Sequence, residues 1–109
     1  MTDRLTIPQG TLDVLLLHII SLDRAHGYAI AQRIEQVTGD AISVTQGSLY
    51  PALHRLEQKG WLRSEWRPSD TGRSAKFYSL TRAGRKRLAV ERDGWDRLTH
   101  AVQLIFNES

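Results

Sequence analysis

The sequence of 109 residues contains no cysteine, which excludes disulfide bonds and thiolate metal sites. Long apolar runs are also missing. Residues 14–17 are apolar, but His18 interrupts the run, which stays far below the ~20 residues that a membrane-spanning helix needs. We therefore expect no membrane partner. The lack of thiols is compatible with a reducing compartment, and we expect a cytoplasmic location.

Sequence patterns of catalysis are absent as well. Ser48 follows Gly47, but the nucleophile-elbow pattern around it is missing, and there is no glycine-rich phosphate loop. The histidines are scattered along the chain without the spacing of a zinc site: His18, His26, His54 and His100. We therefore expect neither an enzyme nor a bound metal ion or cofactor.

Charge is distributed unevenly along a chain whose composition, 40% apolar and 25% charged, is typical of one small globular domain. Between Arg55 and Arg87 there are ten Lys or Arg residues against three acids, a balance of +7. The remainder has five basic and nine acidic residues, a balance of −4. A basic middle indicates a polyanionic partner, and double-stranded DNA is the expected one. A membrane surface is the competing polyanion, but this region has no continuous apolar face.

The stretch from Thr45 to Gly60 predicts an amphipathic helix. Four residues recur at the spacing of one helical face, which we expect to pack on a core: Leu49, Ala52, Leu53 and Leu56. Because proline is tolerated in a first turn, Pro51 predicts an N-cap at Ser48 or within two residues of it. The opposite face is polar and can read base edges: Ser48, Tyr50, Pro51, His54, Arg55 and Gln58. The same face is compatible with an ordinary solvated helix.

After Gly60 the period changes from 3.6 to 2, which predicts a β-hairpin. Residues 62–67 and 75–80 alternate around turn residues 68–72. Trp61 and Trp66 at the base of this hairpin are predicted core residues. Basic side chains lie near its tip: Arg67, Arg73 and Lys76. Residues 41–44 also alternate, which predicts a very short strand before the central helix.

Two further helices are predicted before the central one, over residues 10–22 and 27–37, with a turn at residues 23–26 between them. Three helices followed by a hairpin with a basic tip describe a winged helix-turn-helix. This is an α+β fold that is mainly α. We assign residues 10–81 to this domain and residues 1–9 to an N-terminal arm. The alternative is a small α+β domain with a charged hairpin.

The last segment, residues 82–109, predicts a long helix with Thr81 as its N-cap. Four of its residues are spaced as a partial coiled-coil seam: Trp95, Leu98, Val102 and Ile105. The first predicted helix is apolar on nearly every side, and a domain this small covers only one side of it. We therefore expect Leu12 and Leu16, together with this seam, to form a homodimer interface. A monomer in which the long helix folds back is the alternative.

Four segments of the chain, in this order, resemble the PadR family of bacterial transcriptional regulators, in its compact form with a short C-terminal helix. These segments are GTLDVLLLHII, HGYAIAQRIEQ, GSLYPALHRLEQKGWL and RSAKFYSLTRAGRKRL. The resemblance implies a homodimeric repressor that binds a pseudo-palindromic operator and releases it when a small molecule binds.

By position, the resemblance also implies which residues act. The central helix within residues 45–60 is then the recognition helix, and the hairpin over residues 62–80 is the wing. The DNA contacts fall on these two elements: Gln46, Ser48, Tyr50, Pro51, His54, Arg55, Arg73, Ser74 and Lys76. Trp95, with Leu98 beside it, falls where some compact members stack a planar aromatic effector at the dimer interface.

Several roles stay open from sequence alone. Tyr50 either donates its hydroxyl to a phosphate or packs its ring, and Trp95 either packs in a dimer or forms a ligand platform. Arg55 is expected to chelate a guanine edge. Two alternative functions remain: a winged helix that binds proteins, which would tolerate neutralisation of Arg55, Arg73 and Lys76, and a small-molecule-binding dimer without sequence preference on DNA.

Overall fold

The computed structural model describes residue 5, residues 7–22 and residues 25–108, with only the backbone at residue 25. Four helices and three strands follow one another in this order: α1 (Gln9–Leu22), β1 (Ala25–His26), α2 (Gly27–Val37), α3 (Gln46–Gln58), β2 (Leu62–Pro68), β3 (Ser74–Leu80) and α4 (Arg82–Phe106). The predicted winged helix-turn-helix fold is confirmed. Most of the predicted N-terminal arm lies outside the described residues, and Gln9 already belongs to α1.

The core lies between the first three helices and the base of the hairpin. The predicted apolar face of α3 is buried, and Leu53 and Leu56 have no exposed surface. Leu16, Leu17 and Ile30 from α1 and α2 are equally buried. Helix α3 is therefore held on the domain by one face, and its opposite face remains available.

Helix α3 begins earlier than Pro51 predicts. Its N-cap is Thr45, whose Oγ1 accepts a hydrogen bond from the Ser48 backbone N–H at 3.2 Å. Pro51 therefore lies inside the helix, one turn beyond its expected position. Because proline has no N–H, it cannot donate to the carbonyl of Gly47, four residues earlier. Gly47 is exposed to solvent, so water can hydrate that carbonyl.

The hairpin is confirmed, and it belongs to a sheet of three strands in the order β1-β3-β2. Strands β2 and β3 pair from Leu62↔Leu80 to Pro68↔Ser74. Residues 25 and 26, predicted as part of a turn, instead pair with Tyr78 and Phe77 of β3. The strand predicted within residues 41–44 is absent from that segment, where Ile42 forms a single bridge to Leu5.

Two residues expected at a subunit interface belong to the core of the single chain. Leu12 is 6% exposed and Leu16 is fully buried. The expectation that they contact a second subunit is therefore wrong, because their surfaces are already covered by the chain's own residues. On α1, Leu15 and Ile19 are only partly buried, so the first helix still retains an apolar flank at the surface.

The two tryptophans at the hairpin differ in burial. Trp61 is partly buried against the core, as predicted. Trp66 is 69% exposed, so its assignment to the core is wrong. Leu62 and Trp66 lie on the same face of β2, but Trp66 is four residues further towards the tip. The face that buries Leu62 therefore does not extend to Trp66.

Helix α4 starts at a close contact with the base of the hairpin. The predicted N-cap Thr81 is confirmed: its Oγ1 accepts the Gly84 N–H at 3.0 Å, and its own N–H donates to the Trp61 carbonyl at 3.0 Å. A Cβ on Gly84 would lie 2.0 Å from that carbonyl oxygen. The first turn of α4 therefore rests directly on the backbone of Trp61. Among the helices described, including α4, none is long and apolar enough to cross a membrane.

Candidate nucleic-acid interface

The outward face of α3 is a continuous exposed stripe in which most side chains are polar. Its residues follow one another at helical spacing, opposite the buried leucines, and all are exposed: Gln46, Gly47, Tyr50, Pro51, His54 and Gln58. Ser48, also exposed, lies beside this stripe in the first turn. This face carries hydrogen-bond donors and acceptors and is not covered by any other described element, which is the arrangement that base readout requires.

Arg55 does not extend from this face, although the sequence predicts that it does. Its Nη2 donates to Oδ1 of Asp13 in α1 at 2.6 Å, and its side chain is 27% exposed. Its Nε is buried and has no hydrogen-bond partner among the residues that the structure describes. Arg55 therefore ties α3 to α1 in this structure, and the expected contact with a guanine edge is not available to it here.

Tyr50 contacts the beginning of α2. A Cβ added to Gly27 would lie 2.8 Å from Cε1 of Tyr50, so the absence of a side chain at Gly27 makes room for the ring. The ring therefore packs, while 44% of the residue stays exposed. A groove of about 210 Å³ lies here between α2 and α3, lined in part by Tyr28, Gln32, Gln46 and Tyr50. Donors from both helices converge on it.

The hairpin is attached to the C-terminal end of α3 through Glu57. The Ser64 hydroxyl donates to Glu57 Oε2 at 2.6 Å, and Lys76 Nζ lies 3.4 Å from Oε1. The hydrogen bond from Ser64 is the largest cause that lowers the pKa of Glu57; burial opposes it, and Lys76 and His54 add to it. Glu57 therefore joins both wing strands to the recognition helix.

The same contacts change the expectation for Lys76, which is half-buried and paired rather than free at the tip. Arg73 and Ser74, the other predicted wing contacts, are exposed. Arg67 is also exposed and lies over the Phe77 ring at 5.9 Å. Tyr78 is buried beside Lys76, and this burial raises its pKa, so the phenol stays protonated at neutral pH.

The Glu57 contact gives a pH-dependent contribution to stability. Since the folded-state pKa lies below the unfolded value of about 4.3, the contribution is present above that pH and is lost as the pH falls through the lowered pKa. We expect the free energy of unfolding of wild type to exceed that of Glu57→Gln at pH 7 and to converge with it at acidic pH. Urea unfolding of both proteins at a series of pH values measures this difference.

Ser64→Ala is the control for the cause of this effect. The Ser64 hydroxyl is the largest cause that lowers the pKa of Glu57. The stability of Ser64→Ala should therefore depend less on pH than that of wild type, and its pH profile should approach that of Glu57→Gln. Parallel pH profiles for wild type and Glu57→Gln would contradict the assignment.

Helix α4 carries the remaining predicted site residues on an open face. Trp95 is 48% exposed, Leu98 57% and Ile105 67%, and Val102 is partly buried. Among the described residues, no other element covers the apolar stripe that these side chains form. Within the described part of the chain, no three His, Asp or Glu side chains cluster as metal ligands.

Comparison with known proteins finds a family to which the sequence and the fold of this chain are similar. The sequence model of the family described as Transcriptional regulator PadR-like matches residues 16–90. The chain belongs to this family. Members of the family are non-enzymatic DNA-binding proteins, so this PadR-like chain is a DNA-binding transcriptional regulator and not an enzyme.

Relatives and solved structures agree with this assignment. A transcriptional regulator of Mycobacterium tuberculosis is 37% identical over 87 residues, which cover 80% of this chain and 78% of that protein. A Streptococcus transcriptional regulator superposes with a TM-score of 0.80 at 33% identity, covering 91% of this chain and 95% of that one. A PadR family transcriptional regulator of Eggerthella lenta does so with a TM-score of 0.79 at 29% identity, covering 93% and 86%.

Sequence reasoning missed three residues that shape this PadR-like interface: Asp13, Glu57 and Tyr28. Asp13 lies 42 residues before its partner Arg55, so no local spacing links them. Glu57 and Lys76 come together only when the hairpin folds back on α3. Tyr28 is 57% exposed and lines the groove between α2 and α3. Its place in the first turn of α2 is the feature of the sequence that could have indicated this role.

Proposed function

We propose that this PadR-like regulator is a repressor that acts as a homodimer on a pseudo-palindromic operator in the bacterial cytoplasm. The observation that supports the proposal most is the exposed polar face of α3, fixed at one end by its N-cap and at the other by the Glu57 contacts to the wing. A preorganised reading face beside a basic hairpin suits sequence-specific binding to duplex DNA.

In this proposal, α3 enters the major groove and presents Gln46, Ser48 and His54 to base edges. Asn, Gln and Ser side chains reach adenine or other edges there, whereas an Arg would favour guanine. Arg55 is the exception, because its contact with Asp13 has to break before it can reach a base. Pro51 adds an apolar surface on the same face of the helix.

The phosphates on either side of that groove are assigned to two sets of donors. Tyr28, Gln32 and Tyr50 line the groove between α2 and α3, which suits one strand of the backbone. Arg73 and Ser74 at the wing tip suit the backbone on the other side. Lys76 is paired with Glu57, so its positive charge attracts the phosphates less than a free lysine would. The contacts to phosphate fix the register of α3 on the duplex.

The homodimer is proposed to form through α4. Its exposed apolar residues, Leu98, Ile105 and Phe106 among them, are too many for a helix that remains in solvent. Burial of this stripe against a second copy, related by a two-fold axis, would place two α3 helices one helical turn of DNA apart, about 34 Å. Leu15 and Ile19 on the apolar flank of α1 suit the edge of the same interface.

A planar aromatic effector is proposed to bind at this interface. Trp95 is half-exposed on the stripe, with Leu98 beside it, and an indole is a suitable stacking platform. An effector held between two copies of α4 would change the spacing of the two α3 helices and thereby release the DNA. Because the platform is complete only in a dimer, separation of the subunits should also abolish any response to the effector.

The decisive experiment is a salt titration of binding to DNA from upstream of the protein's own gene and to a scrambled duplex. We expect wild type to prefer the upstream DNA. Arg73→Ala should weaken binding to both duplexes and reduce the slope of log K against log salt by about 1, because one phosphate contact is lost. His54→Ala should reduce the preference by about tenfold, since base contacts are worth about 1–3 kcal/mol.

Arg97→Ala is the matched control for lost charge. Arg97 lies on α4, its side chain is 81% exposed, and we expect its removal to leave the salt slope unchanged. Equal, weak binding of wild type to both duplexes would contradict the operator-specific repressor. Full function after neutralisation of Arg73 and Lys76 would instead favour a winged helix that binds another protein.

A further inference from the structure

Trp66 on β2 is an aromatic residue whose side chain lies outside the core of the domain. It is 69% exposed, whereas the other aromatic residue on the same face of the hairpin, Tyr78, is 5% exposed in the core. Tryptophan is enriched where proteins contact their partners, because its large ring gains much apolar contact when it is covered. Trp66 is therefore available for a contact outside the domain.

The strand register places Trp66 beside the recognition helix. Trp66 pairs with Lys76 across the hairpin, and Ser64 pairs with Tyr78 one step closer to the base. Ser64 and Lys76 both contact Glu57 at the end of α3. Side chains on alternate residues of a strand share a face, so Trp66 lies on the face of the wing that is turned towards α3, just beyond the helix.

The charges around Trp66 indicate the chemistry of its partner. Arg73 is exposed at the tip, and Lys76, which is paired with Glu57, lies opposite Trp66. Arg67 follows Trp66 on β2 but lies on the other face of the strand, over Phe77. An apolar ring close to the exposed cation Arg73 suits DNA, where apolar sugar and base edges lie between phosphates. The apolar stripe proposed for dimerisation lies on another element, α4, so Trp66 is not part of it.

We infer that Trp66 is a DNA-binding residue that packs its indole against the sugar and base edges of the minor groove next to the site read by α3. The inference rests on the proposed binding of duplex DNA and adds an apolar contact to its polar ones. Apolar contacts release no counterions. Trp66 therefore contributes affinity that high salt does not remove, whereas the contribution of Arg73 is salt-sensitive.

Salt titrations with Trp66→Ala and Trp66→Phe on the upstream duplex test this inference. We expect Trp66→Ala to bind about tenfold more weakly at every salt concentration, with an unchanged slope of log K against log salt. Trp66→Phe should bind within about threefold of wild type, because a smaller ring keeps the contact. Addition of the duplex should also change the tryptophan fluorescence of wild type more than that of Trp66→Phe.

Val37→Ala is the matched control, because Val37 is 63% exposed at the end of α2 and has no proposed contact with DNA. It should bind as wild type does. Unchanged affinity of Trp66→Ala, a changed salt slope, or an equal loss in Val37→Ala would overturn the inference while leaving the proposed function intact. Failure of wild type to bind either duplex would remove the proposed function, and this inference with it.

Discussion

Gly84→Ala is expected to lower the free energy of unfolding by about 3 kcal/mol or more, the upper range for an over-packed contact. The added Cβ would lie 2.0 Å from the carbonyl oxygen of Trp61 and 3.2 Å from Leu80 Cδ2. The first of these is a backbone atom that also accepts the Thr81 N–H, so it cannot move without loss of that hydrogen bond. Urea unfolding at a fixed protein concentration measures the change.

Gly94→Ala, on the same helix, is the control. A Cβ on Gly94 would have no atom of the described residues within 4 Å. Alanine has the higher helix propensity, so this substitution should raise the free energy of unfolding by about 0.5–1 kcal/mol. The two substitutions are chemically identical and should have opposite signs. If both proteins unfolded at the same urea concentration, the close contact at Trp61 would not be the cause.

Leu98→Glu is expected to weaken the proposed dimer by at least about 100-fold, because it places an unpaired carboxylate from each subunit in an apolar interface. The monomer should keep its fold, since Leu98 is 57% exposed in the single chain. Sedimentation velocity over a range of protein concentrations measures the association. Binding to the operator should fall by a similar factor, because two linked half-sites no longer act together.

Gln103→Glu is the matched variant for Leu98→Glu. It adds the same charge at an exposed position of α4, next to Val102 but outside the predicted seam. We expect it to remain a dimer. A Leu98→Glu protein that sediments as wild type does would show that the stripe on α4 is not the dimer interface, and Trp95 would then lose its proposed role as a platform between subunits.

Local patterns were sufficient to predict most of the fold. The change of period after Gly60 predicted the hairpin because successive side chains of a strand point to opposite faces. The apolar spacing of Leu49, Ala52, Leu53 and Leu56 predicted the buried face of α3 because residues three and four apart share one side of a helix. Strand β1 was missed because two residues carry no pattern of their own. Its backbone becomes a strand only by pairing with β3.

The site was less predictable because its side chains depend on distant partners. The sequence pattern places Arg55 on the outward face of α3, but its side chain forms an ion pair with Asp13 of α1. Trp66 lies on the same face of β2 as Leu62, but none of the described elements covers its end of the hairpin. In both cases the sequence indicates on which face a residue lies, and tertiary structure decides what that face meets. Tyr50 shows both alternatives together, with a packed ring and an exposed edge.

The contact of Gly84 with Trp61 has a geometric consequence for regulation. It makes the first turn of α4 a joint with little clearance, from which 25 helical residues extend. At 1.5 Å per residue such a lever is about 37 Å long, so a rotation of about 10° at the joint displaces its far end by roughly 6 Å. In reverse, a movement of several ångströms at the far end would reach the wing as a small tilt, because the first turn of α4 rests directly on the backbone of Trp61.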